Sequence, residues 1–171
     1  DLLLMDFGAE YCNYAADISR TIPVNGKYSK RQKKIYESVL NVHNNAIRLI
    51  QPGKSIDQLN NEVNQMMEQE LMELGLFSAE EVKKQPKDSP LYKKYFMHGV
   101  SHFIGLDVHD VGSKYEELKP GMVLTCEPGI YLKEENMGIR IENIILVTEN
   151  GQEDLSQNIP KEIEEIESLM K

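Results

Sequence analysis

The chain has 171 residues with no tryptophan, only two cysteines and only four histidines, and its aromatic content is 7%. Cys12 and Cys126 stand alone, too few for a disulfide framework or a thiolate metal site, so a reducing cytoplasm is the expected setting. No apolar run approaches the roughly 20 residues a membrane span needs, and no basic segment leads into an apolar stretch with a cleavage site. The expectation is a soluble protein without membrane contact. Basic residues number 19 against 28 acids, a net charge of -9, and nowhere do they cluster among aromatics, which argues against a nucleic-acid partner. What remains, 40% apolar and 27% charged residues, suits one globular domain with a sizeable core.

Local signals divide the chain. Leu2 to Phe7 is an apolar strand, GAEYCNY is turn-like, and AADISRTIPV resumes a strand before the Asn25-Gly26 turn, so a hairpin is expected over residues 1 to 24. From the plausible N-cap Ser29, the apolar positions Ile35, Val39, Val42, Ala46 and Leu49 step at helical period up to Pro52-Gly53. Ser55 with Gln58 forms a capping-box pattern that opens a second helix, with Ile56, Leu59, Val63, Met66, Met67 and Leu74 as its buried stripe before Gly75. That methionine-rich stripe reads as core, and His43, on the first helix among asparagines, as a structural residue. Residues 76 to 95 lack periodicity and look like an exposed connection. Strands are expected around 101 to 108, 121 to 132 and 138 to 148, and Pro160 opens a short helix with Ile163, Ile166 and Leu169 on one side. Strands, two long helices, then strands and a closing helix make an α+β fold, with helices on one side of a mostly antiparallel sheet.

Scarcity makes the distribution of histidine informative. The stretch MHGVSHFIGLDVHDVG, Met97 to Gly112, holds three of the four within twelve positions: His98, His102 and His109. Four acids occupy strand settings that disfavour them: Asp6 in LLLMDFG, Asp17 in AADISR, Glu127 in GMVLTCEPG and Glu142 in GIRIENIILV. Taken singly, each aspartate reads as a turn residue or a partner for Arg20, Arg140 with Glu142 as a salt bridge, and His109 as a residue held by Asp107 or Asp110. Taken together, four carboxylates sharing one sheet face would repel one another unless neutralised. Two divalent cations would supply the missing charge, and an oxygen-rich shell with one imidazole suits Mn, Fe, Co or Zn, with Mn favoured.

Asp6 and Asp17 eleven apart, MHGVSHFIGLDVHDVG, KPGMVLTCEPGIY and GIRIEN together resemble the signature blocks of the pita-bread, creatinase-like metallopeptidases, most closely their Xaa-Pro aminopeptidase branch. The similarity runs from about residue 2 to residue 148 and continues into the PKEIEEIESL helix. It implies the pita-bread fold and two metal ions held by Asp6, Asp17, His102, Glu127 and Glu142. It also implies that His98 and His109 face the substrate while Arg140 and Tyr131 orient the carboxylates behind the ligands.

The implied reaction is hydrolysis of the N-terminal Xaa-Pro bond of peptides by a metal-bridging hydroxide, with Glu127 relaying the proton and His98 and His109 donating hydrogen bonds to the tetrahedral intermediate. Prolidase action on Xaa-Pro dipeptides and a non-catalytic peptide-binding module remain alternatives, and methionine aminopeptidases share the ligand set. Members of the family carry upstream segments that include a further substrate-side histidine and a domain that helps form dimers. Residues 1 to 171 are therefore expected to be part of a catalytic domain, from a protein that is a homodimer or larger, and to be weak in metal binding and turnover alone.

Overall fold

The computed structural model describes residues 1–171. Its first unit is an antiparallel pair, β1 (Leu2–Phe7) with β4 (Ile18–Pro23), in which Asp6 lies opposite Ser19. The turn-like stretch between them folds into its own small ribbon, β2 (Glu10–Tyr11) and β3 (Tyr14–Ala15). Cys12 and Asn13 both take positive φ, 53° and 61°, as a two-residue hairpin turn requires. Gly8 is needed where the ribbon meets the longer pair, because a Cβ there would lie 1.7 Å from the Ala16 carbonyl oxygen.

The two long helices form where their caps and stripes direct. In α1 (Lys30–Leu49) the Ser29 side chain caps the Gln32 amide and the Gln32 side chain returns to Ser29. In α2 (Ile56–Glu73) Ser55 and Gln58 do the same, and Gly75 follows at φ +75°. Ile35, Val39, Val42 and Ala46 of α1 and Leu59, Val63, Met67 and Leu71 of α2 are buried, so each helix seals one face of the main core.

The expected unstructured connection over 76 to 95 carries its own short helix, α3 (Ala79–Lys84), with a Ser78-Glu81 capping box, and one 3₁₀ turn over Leu91–Lys94. Phe77, Tyr95 and Phe96 at its ends are buried, which pins the segment to the core without producing a periodic stripe.

The later strands are shorter than expected because the chain breaks at the acidic positions. Residues 121 to 132 divide into β5 (Val123–Cys126) and β6 (Gly129–Leu132) around Glu127-Pro128. Residues 138 to 148 divide into β7 (Met137–Arg140) and β8 (Asn143–Thr148) around Ile141-Glu142. β8 pairs with β5 on one side and with β9 (Gly151–Asp154) on the other, while β6 pairs with β7, all antiparallel. Helix α1 packs against β5, β6, β7 and β9, and α2 packs against α1.

Two further expectations need correction. No regular strand spans 101 to 108: residues 100 to 104 run along β5 with a single bridge, Phe103 to Leu124, and then turn away. The Asp110 side chain accepts from the Leu106 and Val111 amides, which folds residues 105 to 111 into a tight loop and ends the pairing. The last helix, α4, starts at Ile163 rather than Pro160 and runs to Leu169. The Pro160 carbonyl is taken by Arg20 at 2.8 Å and the Lys161 carbonyl by the Tyr36 hydroxyl at 2.9 Å, so tertiary partners hold those residues out of the helix. Ile163 and Ile166 are buried, whereas Leu169 is exposed. No helix is long and apolar enough to cross a membrane.

His43 lies fully inside the core on α1, and neither ring nitrogen has a hydrogen-bond partner. Burial holds its pKa down at about 3, and the charges of Lys161 and Arg20 push the same way. The unfolded chain therefore takes up a proton near pH 6.5 that the folded chain refuses, and the contribution of His43 to stability falls as pH drops below that point. We expect His43→Leu to gain on the parent chain by about 1.4 kcal/mol for each pH unit below roughly 6.5, with a constant difference above pH 7. Urea unfolding at pH 7.5, 6 and 5 measures this.

Candidate metal centre

Each acid singled out in the sequence sits at or near a strand end. Asp17 precedes β4, Glu127 follows β5 and Glu142 joins β7 to β8. The alternation of a strand sends Asp17 and Ser19, Thr125 and Glu127, and Arg140 and Glu142 each to one face. The breaks let the chain turn so that these faces meet. His102 is delivered beside Thr125 and Glu127 by the irregular segment along β5: the Thr125 amide donates to the His102 carbonyl at 2.9 Å and the His102 amide to Thr125 Oγ1 at 3.2 Å.

The resulting cluster is compact. One ligand-capable atom from each of Asp17, His102 and Glu142 lies within 4.8 Å of the others. His102 Nδ1 donates to the Phe103 carbonyl at 3.0 Å, which leaves Nε2 facing the cluster, 3.5 Å from both Asp17 Oδ2 and Glu127 Oε1. Glu142 is 1% exposed, and its Oε1 is buried with no hydrogen-bond partner. Asp6 is the outlier, with an exposed side chain at the margin, where it pairs with Arg140.

A second row of side chains lies behind these. Arg140 Nε donates to Ser19 Oγ at 2.8 Å, and Ser19 Oγ donates to Glu142 Oε2 at 2.6 Å. Arg140 Nη1 reaches the Tyr131 hydroxyl at 3.2 Å, which in turn lies 2.8 Å from His98 Nε2. His98 Nδ1 is committed to the Gly99 carbonyl at 2.8 Å, so Nε2 accepts and the tyrosine donates. Arg140 thus makes no direct salt bridge to Glu142, as the pair read alone would suggest, but pairs with Asp6 and reaches Glu142 through the Ser19 hydroxyl. Arg20, offered by sequence as a partner for the aspartates, instead donates to the carbonyls of Ser19, Glu142, Ile159 and Pro160 and to Asn143 Oδ1. His109 is exposed and packs edge-on to His102 with ring centroids 4.2 Å apart; Asp110 staples the loop and leaves the histidine free.

Crowded acids with few counter-charges should resist ionisation, and they do. Burial, reinforced by Asp17 and Asp6, pushes the Glu127 carboxyl up to about 7 against the pull of Arg140. Burial, with Glu127, Asp17 and Asp6 adding to it, pushes Glu142 up to about 8 despite the Ser19 hydrogen bond. Asp17 is raised by burial and then by neighbouring Asp6.

The model of metallopeptidase family M24 matches residues 1–149. The chain belongs to that family. It is 45% identical to the Xaa-Pro aminopeptidase of Haemophilus influenzae and 43% identical to that of Escherichia coli, in each case over 99% of the chain and 42% and 41% of the relative. The solved structure of Zn-substituted E. coli aminopeptidase P in complex with product superimposes with a TM-score of 0.88 at 44% identity, over 99% of this chain and 41% of that one. The fold is the pita-bread fold. The chain spans about two fifths of the length of the curated relatives it matches.

Membership in M24 implies divalent metal ions, and the residues present fit them: a buried carboxylate oxygen with no donor, an imidazole nitrogen aimed at two carboxylates, and acids held above their usual range. Reading the sequence alone missed Ser19 and Thr125, both fully buried. The available signal was the period of two, which sets Ser19 beside Asp17 and Thr125 beside Glu127.

A carboxyl whose folded pKa is raised stabilises the fold below its unfolded value near 4.5, and that contribution is lost as pH rises through the folded value. With chelator present, these carboxyls should therefore lower the unfolding temperature as pH rises from about 6.5, above which His43 no longer opposes them, to about 8.5. Excess divalent cation should reverse the trend at the alkaline end, and Glu142→Gln should flatten the chelated profile. Differential scanning calorimetry across this range is the measurement.

Proposed function

We propose that the protein carrying this chain is a metal-dependent exopeptidase that hydrolyses the bond between an N-terminal residue and a following proline. The observation that carries this reading is the convergence of Asp17, His102 and Glu142, joined by Glu127. Its specificity is drawn from relatives named Xaa-Pro aminopeptidase. Asp6, Asp17, His102, Glu127 and Glu142 would hold two divalent cations, and the carboxylate majority favours Mn, with Co, Zn or Fe as competitors. When bound, such ions supply an activated water and polarise the scissile carbonyl.

The chain's own residues do the rest. A Glu127 carboxylate oxygen takes the proton released by the attacking water and passes it to the proline nitrogen as that nitrogen leaves. His109, whose ring makes no hydrogen bond within the protein, is free to donate to the oxygen that becomes negative. Both ring nitrogens of His98 are engaged, so in this arrangement it holds the Tyr131 hydroxyl in place, and donation to the substrate would require it to exchange a partner. Arg140 fixes Asp6 and Tyr131 at once. An Xaa-Pro bond offers no N-H, so the leaving side needs shape rather than a hydrogen-bond acceptor.

The test is release of the first residue from an Xaa-Pro-Yaa tripeptide by Mn-loaded protein, assayed as this chain and as the parent polypeptide, beside an Xaa-Pro dipeptide and a Met-Ala-Yaa control. We expect cleavage at the Xaa-Pro bond of the tripeptide, reduced more than about 100-fold by Asp17→Ala. Preference for the dipeptide would reassign the protein to prolidase action. Metal binding without any cleavage would point to a peptide-binding module.

A further inference from the structure

Ser19 is fully buried in β4, and both its backbone and its hydroxyl bond to groups around the candidate metal centre. Its backbone carbonyl accepts from the Glu142 amide at 3.1 Å and from Arg20 Nη1 at 2.8 Å. Its hydroxyl donates to Glu142 Oε2 at 2.6 Å and accepts from Arg140 Nε at 2.8 Å. Across the strand pair it faces Asp6, and two residues before it on the same face lies Asp17. One residue therefore ties the β1-β4 pair, which carries two acids, to the β7-β8 junction, which carries a third.

The direction of these bonds follows from chemistry. An arginine Nε can only donate, so Ser19 Oγ must accept there, and its single proton is directed to Glu142. That bond occupies Oε2, leaving Oε1 as the oxygen without a hydrogen-bond partner. We propose that Ser19 is a positioning residue that presents Glu142 Oε1 to a divalent cation and sets the spacing between Glu142 and the aspartates of the first strand pair. The inference rests on the metal-centre reading above and adds a residue to it.

The test is binding of Mn2+ to the 171-residue chain by isothermal titration calorimetry, with far-UV circular dichroism and unfolding temperature recorded for each variant. Ser19→Ala keeps the backbone bonds and removes the hydroxyl, and its Mn2+ affinity should fall about 10-fold to 100-fold. Ser19→Thr restores the hydroxyl and should bind within about 3-fold of the parent chain. Ser19→Val has the shape of threonine without its hydroxyl, so it should be as weak as Ser19→Ala, and the threonine-valine pair decides the matter if the alanine variant fails to fold. Equal binding by folded Thr and Val variants, or parental affinity in Ser19→Ala, would overturn the proposal while leaving the metal centre standing, provided Asp17→Ala abolishes binding. Failure of both the 171-residue chain and the longer polypeptide that carries it to bind Mn2+, Zn2+ or Co2+ would overturn the metal-centre reading and the role of Ser19 with it.

Discussion

Carboxylates gathered where water is scarce repel one another and pay for the loss of solvent, and most of the architecture around His102 can be understood as holding them there regardless. Asp17, Glu127 and Glu142 converge on its Nε2 side, with Asp6 at the edge. Arg140 is the cation that pairs directly with one of these acids. Arg20 spends its donors mainly on backbone carbonyls on the far side of Ser19 and Glu142. Two guanidinium groups thus brace the cluster from behind, while the raised pKa values of Glu127 and Glu142 register how much negative charge is left uncompensated.

This constraint also accounts for the interruptions in the strands. A regular strand commits its backbone to neighbours on both edges and points its side chains straight up or down, which cannot aim acids from four segments at one point. Placing Asp17, Glu127 and Glu142 at strand ends leaves each anchored by a paired strand while the chain turns its carboxylate inward. The Asp110 staple performs the matching service for the histidine segment: by pulling residues 105 to 111 into a loop it ends the pairing with β5 just beyond His102.

The helices were legible because their signals are local. Ser29 with Gln32 and Ser55 with Gln58 cap within one turn, and the apolar stripes need only the helix's own period to be recognised. The first strand pair was legible for similar reasons. Two segments were misjudged for different reasons: a strand was expected where Asp110 imposes a loop through bonds to its own neighbours, a local side-chain signal that apolar alternation does not show, and a helix was expected from Pro160 where distant Arg20 and Tyr36 claim the carbonyls. Phe77 and Tyr95 anchor a segment that showed no pattern because its buried residues lie at its ends.

The amino-acid sequence alone determined which residue types are available and in what order. Those are the two aspartates eleven apart, the histidine-rich block and the two glutamates beside strand breaks, and they suffice to mark the family blocks and the candidate ligands. Only the tertiary structure decided how those groups are used: that His102 offers Nε2, that Arg140 pairs with Asp6, that Glu142 keeps Oε1 free, and that His43 is sealed without a partner. The reason is the distance along the chain. Ser19 and Glu142 are 123 residues apart and Asp6 and Arg140 are 134 apart, so the hydrogen bonds that select an oxygen or a tautomer exist only after the separate strand pairs have met.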